Sequence, residues 1–166
     1  MHVIFQFWTK HGKKGLDAMA HKELEGYRLV LGDWSDCGAD AALVRNEVFV
    51  QEQRVSLEEE MDGRDAGCVH AIVYDRAGVP VGTGRLLPDG HIGRMAVRRP
   101  ERGQGVGSLL LTGLIDEARR RGHLQVILAA QVHAQAFYTA HGFRAEGRVF
   151  LDAGIDHINM RRDLTA

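Results

Sequence analysis

The stretch Met95-Ala96-Val97-Arg98-Arg99-Pro100-Glu101-Arg102-Gly103-Gln104-Gly105-Val106-Gly107-Ser108 runs an apolar strand through an arginine-rich turn into a glycine-studded helix start. Glycines let a ligand approach the backbone closely, and the first N–H groups of a helix are unsatisfied and lie at the positive end of its dipole. That combination binds a polyanion such as a pyrophosphate. Two established nucleotide loops fit poorly. A P-loop needs Gly-Lys-Ser/Thr, and a dinucleotide fingerprint closes a βαβ unit, whereas this loop has no lysine and follows hairpin-connected strands. Other residues offer proton chemistry: His70, His133 and His157, the carboxylates Glu58, Glu59, Glu60 and Asp62, and the phenol of Tyr138. As a cluster the four carboxylates attract a cation; singly, each reads equally as solvated loop charge. Gln131 interrupts the apolar strand end Leu128-Ala129-Ala130, where its amide either holds a ligand or faces water.

The elements that position these residues begin at Tyr27. A short strand is expected over Tyr27–Leu31, then a helix over about Asp40–Gln53 with Val44 and Val48 one turn apart on one face. After the acidic loop Glu58–Asp65, the segments Cys68–Tyr74, Val81–Leu87 and His91–Val97 are separated by Ala77-Gly78-Val79-Pro80 and Pro88-Asp89-Gly90, which is turn chemistry at hairpin spacing. Gly103–Arg121 has helical period, with Val106, Leu110, Leu114 and Ala118 on one stripe and Gly122 as a stop. A strand over Leu124–Ala130, a short helix over His133–His141, and strands at Arg148–Leu151 and Ile155–Arg161 complete the pattern. The fold class is α+β, a mostly antiparallel sheet of about seven strands flanked by helices.

The chain has 166 residues, 45% hydrophobic and 26% charged, with net charge -1 and three prolines. These are values of a single globular domain, and they exclude disordered, collagen-like and disulfide-scaffold classes. The domain is expected over residues 27–166, with 1–26 as an extension in which Met19 is a candidate alternative start. Cys37 and Cys68 read as buried reduced thiols, and no Cys/His cluster has zinc spacing, so no metal is expected. No run of about eighteen apolar residues is present, and the lysines after Val3–Trp8 stand in the reverse of secretory-signal order, so a cytoplasmic protein without membrane association is expected. Aromatic content of 7% without a basic surplus argues against nucleic-acid binding.

Arg102-Gly103-Gln104-Gly105-Val106-Gly107 matches the Arg/Gln-x-x-Gly-x-Gly/Ala signature of the Gcn5-related N-acetyltransferase (GNAT) superfamily. Arg45-Asn46-Glu47-Val48-Phe49-Val50-Gln51-Glu52-Gln53, Glu58-Glu59-Glu60-Met61-Asp62-Gly63, Ala130-Gln131, Ala136-Phe137-Tyr138 with Gly142-Phe143, and Phe150-Leu151-Asp152-Ala153-Gly154-Ile155-Asp156-His157 resemble its ElaA-like (YjcF-like) branch. The resemblance runs from about Tyr27 to Asp163. It implies an N-acetyltransferase with acetyl-CoA or a related acyl-CoA as donor and an amine acceptor, a small molecule or a peptide. By position, the backbone of Met95, Ala96 and Val97 would hold pantetheine like an added strand, and Arg102 to Ser108, with Gly103, Gln104, Gly105, Val106 and Gly107, would wrap the pyrophosphate. A bulge in this strand would free an N–H near Val97 for the oxyanion. Tyr138 would protonate the departing thiolate, with core packing as its alternative. Gln131 would hold substrate or pantetheine. The amine needs a base, for which His70 and then His157 are the first candidates, each also explicable as a packed histidine. Two rival readings are an acyl-homoserine-lactone-synthase-like acyltransferase and a non-catalytic acyl-CoA-binding regulatory module. The resemblance also makes a homodimer possible.

Overall fold

The computed structural model describes residues 24–165, so most of the expected extension over residues 1–26 lies outside the described residues. Seven strands and four α-helices follow one another as β1 (Arg28–Gly32), α1 (Trp34–Arg45), a π-helical segment (Asn46–Glu52), α2 (Leu57–Glu60), β2 (Val69–Tyr74), β3 (Pro80–Leu86), β4 (Ile92–Val97), α3 (Val106–Arg120), β5 (Gln125–Gln131), α4 (Gln135–Ala140), β6 (Arg144–Asp152) and β7 (Ile155–Asp163). The order is the one expected, with α2 and the π-helical segment added. Strands β1-β2-β3-β4 form an antiparallel meander, and β5-β7-β6 form a second antiparallel set.

Helix α1 starts six residues before its expected position. Asp33 caps it by accepting from the Asp36 N–H at 3.0 Å, and Gly38 lies under the Trp34 ring, where a Cβ would come within 2.8 Å of the indole. Its first turns mix Trp34 and Cys37 with Ser35, Asp36, Gly38 and Asp40, which conceals the helical period. After Arg45 the coil widens: the Gln53 N–H donates to the Val48 carbonyl, five residues back, at 3.0 Å. Strand β6 is also longer than expected, because Gly147 at φ +77° sits in a register shift between Glu146 and Phe150 that breaks the alternation.

Sheet β1–β4 is covered on both faces. The α3 stripe Val106, Leu110, Leu114 and Ala118 is at most 1% exposed and packs with Val73, Val81 and Leu86. On the opposite face, Cys37 and Ala41 of α1 pack on Ile72, while Val44 and Val48 pack on Ala96. The two thiols are free and buried. No described helix is long and apolar enough to cross a membrane.

Two irregularities shape the middle of the fold. Strand β4 pairs with β3 as Ala96 with Thr83 and Gly93 with Arg85, so Arg94 and Met95 stand opposite Gly84 alone. This is a β-bulge, and Arg94 takes φ +50°, a left-handed conformation costing about 1–2 kcal/mol for a residue with a Cβ. Strands β4 and β5 run parallel but meet at a single bridge, His91 with Ile127. Beyond it they diverge, and the seven strands fall into four and three.

Gly84 accommodates the bulge, because a Cβ there would lie 2.5 Å from Met95 Sδ and 2.9 Å from Leu114 Cδ1. Gly84→Ala is expected to destabilise the domain by about 1–3 kcal/mol through overpacking, read as a lowered urea midpoint. An unchanged midpoint would show that the bulge does not depend on this close approach.

Candidate functional site

The divergence of β4 and β5 opens a cleft of about 870 Å³. One wall is Met95, Ala96 and Val97 of β4, and the other is Leu128, Ala129 and Gln131 of β5. Hydrogen bonds along an antiparallel pair alternate. The Arg98 N–H donates to the Val81 carbonyl at 2.9 Å, so Ala96 also faces β3, whereas the N–H and C=O of Val97 point away from β3, toward β5. The Val97 carbonyl accepts from Arg102 Nε at 2.9 Å. Its N–H has no partner among the described residues.

At the mouth of the cleft the chain turns from β4 into α3. Gly103 and Gly105 have φ +77° and +89°, and with Arg102 and Gln104 they are exposed. The first intrahelical bond runs from Leu109 N–H to Gly105 C=O, leaving the N–H groups of Val106, Gly107 and Ser108 without helical partners. Gly107 serves packing: a Cβ there would be 3.3 Å from the Phe137 ring. The loop therefore presents backbone donors and a helix N-terminus to an anion.

Tyr138 of α4 lines the same cleft. Its ring meets Phe137 and Phe143 edge-on, with centroids at 5.0 and 5.9 Å, and burial pushes its pKa up to about 12. It is thus packed in the core and open to the cleft at once, and its hydroxyl makes no hydrogen bond among the described residues. Gln131 faces Gln53 across the cleft in a reciprocal amide pair, with bonds of 3.1 and 2.9 Å. Gln53, which the sequence did not single out, follows directly on the π-helical segment.

The histidines separate. His157 lines the cleft opposite Gln131 in the β5–β7 register. Its Nδ1 lies 2.7 Å from the Ile155 carbonyl. A carbonyl only accepts, so Nδ1 carries a proton, and in the neutral ring Nε2 is the nitrogen with the free lone pair. His133 also lines the cleft. His70 does not. It is 1% exposed, its Nε2 donates to the Asp65 carbonyl at 2.9 Å, its ring packs on Trp34 at 4.9 Å, and burial lowers its pKa.

The acidic segment differs most from expectation. Glu58 is exposed and outside the cleft, and Glu59 reciprocates the Ser56 cap of α2. Glu59, Glu60 and Asp62 do line the cleft, but arginines hold the carboxylates of Glu60 and Asp62. Arg45, 1% exposed, bonds Glu60 through Nε and Asp65 through Nη1 at 2.7 Å. Arg85 bonds Asp62 through Nη2 and Asp65 through Nη1 at 2.9 Å. Arg94, projecting from the bulge, donates to the Glu60 and Glu59 carbonyls at 3.1 and 3.3 Å and to Asp62 at 3.4 Å. Three guanidinium groups thus neutralise three carboxylates, and the cluster is a wall rather than a set of free charges open to a cation. The Arg85 hydrogen bond holds the Asp62 carboxyl far below the usual range. Burial alone would raise Asp65, but its bonds to Arg45 and Arg85 prevail and lower it. No group of three or more metal-ligating side chains occurs among the described residues.

The family model for the acetyltransferase (GNAT) domain matches residues 31–164, and the chain belongs to that family. It is an acyltransferase of the branch the sequence resembles. It is 42% identical over 128 residues to the uncharacterized N-acetyltransferase YjcF of Bacillus subtilis, covering 75% of this chain and 91% of that one. Among solved structures, an acyl-CoA N-acyltransferase from Pseudomonas aeruginosa matches with TM-score 0.72 and 33% identity over 82% of this chain and 99% of its own. ElaA of Escherichia coli matches with TM-score 0.73 and 27% identity over 82% and 99%.

The arginine–carboxylate wall makes stability pH-dependent with a definite sign. His70, Asp62 and Asp65 all have folded pKa values below their unfolded ones. Their stabilisation is full above the unfolded values and lost as pH falls through the folded ones. Urea unfolding is expected to weaken first below about pH 6.5 through His70 and more steeply below about pH 4 through the aspartates, and Asp65→Asn to flatten the lower part. Stability constant from pH 8 to 3 would contradict this arrangement.

Proposed function

We propose that the protein transfers an acetyl group from acetyl-CoA to a primary amine by direct attack within a ternary complex. The observation that carries this reading is the divergence of β4 from β5, which leaves the Val97 N–H without a partner among the described residues on the same cleft that Tyr138 lines. The P. aeruginosa structure, an acyl-CoA N-acyltransferase, supports a CoA-linked donor.

In this reading the pantetheine lies along Met95–Val97 as an added strand, and its pyrophosphate rests on the backbone of Arg102–Ser108. The amine nitrogen attacks the thioester carbon, and the oxyanion that forms is held by the Val97 N–H. His157 Nε2 takes the proton of the ammonium, directly or through one water. As the tetrahedral intermediate collapses, the C–S bond breaks and Tyr138 gives its proton to the sulfur, while the second proton of the attacking nitrogen passes, directly or through water, to the Tyr138 phenolate, which leaves a neutral amide and restores the phenol. A phenol with pKa about 12 stays protonated at neutral pH. A CoA thiolate emerging beside this buried phenol is partly desolvated and its pKa is raised as well, which narrows the gap between donor and acceptor. Gln131 and Gln53 bound the acyl site. His70, behind the wall, then acts by packing, and His157 takes the place it held among candidate bases. Glu60 and Asp62 shape the acceptor side through their arginines, leaving Glu59 as the carboxylate of the four that lines the cleft without an arginine partner among the described residues.

Acetyl-CoA is expected to raise the melting temperature, since binding the native state at a hundredfold excess over Kd adds about 2.7 kcal/mol. Tyr138→Phe, with an amine acceptor found by screening, is expected to keep CoA affinity within a few-fold while single-turnover transfer slows by about 10². No thermal shift at millimolar CoA would overturn the donor assignment, and wild-type single-turnover rates in Tyr138→Phe would overturn the acid assignment.

A further inference from the structure

Arg102, the first residue of the donor loop, already has an anionic partner within the chain. Its Nη1 and Nη2 grip the two carboxylate oxygens of Glu52 at 2.7 and 2.8 Å, while its Nε holds the Val97 carbonyl at 2.9 Å. Arg99 reaches the same carboxylate at 3.2 Å. Glu52 lines the cleft and is fixed from both sides of its own segment. Five residues before it, Glu47 pairs with Arg98 at 2.8 Å, and one residue after it, Gln53 is locked to Gln131 across the cleft. Glu52 is therefore held over the donor loop and cannot follow Arg102 far if that side chain turns to another anion.

We propose that Glu52 is an internal anion that competes with the donor's pyrophosphate for Arg102 and Arg99, and so sets donor affinity. This rests on the donor-site reading above. Both partners are compact charges at one mouth of one cleft. A pyrophosphate seated on the Val106–Ser108 N–H groups meets a loop whose nearest guanidinium is neutralised, and the Val97 carbonyl that an added strand would pair with is occupied by the same arginine. Donor binding thus exchanges the Arg102 contacts from chain to ligand. Removing the Glu52 charge while keeping its shape leaves Arg102 unopposed. By Coulomb's law, a unit charge roughly 6 Å from a phosphate changes affinity by roughly 3- to 100-fold between surface and bulk-water dielectrics.

The test is calorimetric titration of the full chain with CoA and with pantetheine, which lacks phosphate, for wild type, Glu52→Gln, Arg102→Ala and the double variant. Glu52→Gln is expected to bind CoA about tenfold tighter and pantetheine unchanged, and the gain to shrink below about threefold once Arg102 is alanine, because the two residues act on one another. Glu52→Ala provides a second variant with the same expected sign. Binding of CoA no tighter than wild type, weaker binding, an equal gain for pantetheine, or a gain that survives in the Arg102→Ala background would each overturn the proposal. Failure of the wild type to bind CoA would instead overturn the donor-site reading, and this inference with it.

Discussion

Parallel neighbours β4 and β5 form one bridge, at His91 and Ile127, and then separate. A strand edge inside a protein normally pairs, since an unpaired N–H or C=O withheld from water costs as much as a lost hydrogen bond. Here two features keep the strands from zipping. The bulge at Arg94 and Met95 turns β4 away from its neighbour, and Val48 and Phe49 of the π-helical segment pack on Ala96 beside the opening. The Val97 amide, without a partner among the described residues, lies on the cleft that Arg102, Tyr138 and His157 also line, so the proposed acyl-transfer site is in essence an unfinished sheet.

The bulge is in turn held by charge. Arg94 adopts an unfavourable backbone conformation and repays it by gathering the carbonyls of Glu59 and Glu60, the open end of α2. Behind it, Arg45 and Arg85 bind Glu60, Asp62 and Asp65. Buried ion pairs add little net stability against an apolar replacement, but losing one partner costs about 3–5 kcal/mol because the other charge is stranded. The effect is geometric: it fastens α2 and the acidic segment to the sheet and fixes the wall of the cleft opposite His157.

How much of this the sequence discloses follows from how local each signal is. The loop Arg102–Ser108 is legible because its glycines, its strand and its helix are contiguous, and Gln131 and Tyr138 because each interrupts or ends a short periodic element. The strand order reads correctly from hairpin turns such as Pro88-Asp89-Gly90. The acidic cluster reads as free charge able to attract a cation because its partner arginines lie 15 to 35 residues away, where no spacing rule reaches. His70 and His157 both sit in strands, and only the third dimension puts one behind Trp34 and the other on the cleft. Glu52 and Gln53 fall inside the Arg45–Gln53 motif, but nothing local marks their roles, since their partners Arg102 and Gln131 are 50 and 78 residues distant. A left-handed arginine at position 94 has no composition signal, although Gly84 opposite it offers one in retrospect.

The central claim, that the unpaired β4 edge receives the donor, is tested most directly by an amide nitrogen–proton NMR titration of the full chain with CoA. The account expects the largest shifts at Val97 and at Val106, Gly107 and Ser108, with the Val97 amide gaining protection from solvent exchange as it acquires a partner. Saturable CoA binding that leaves these four amides unmoved, with shifts confined to another surface, would contradict it.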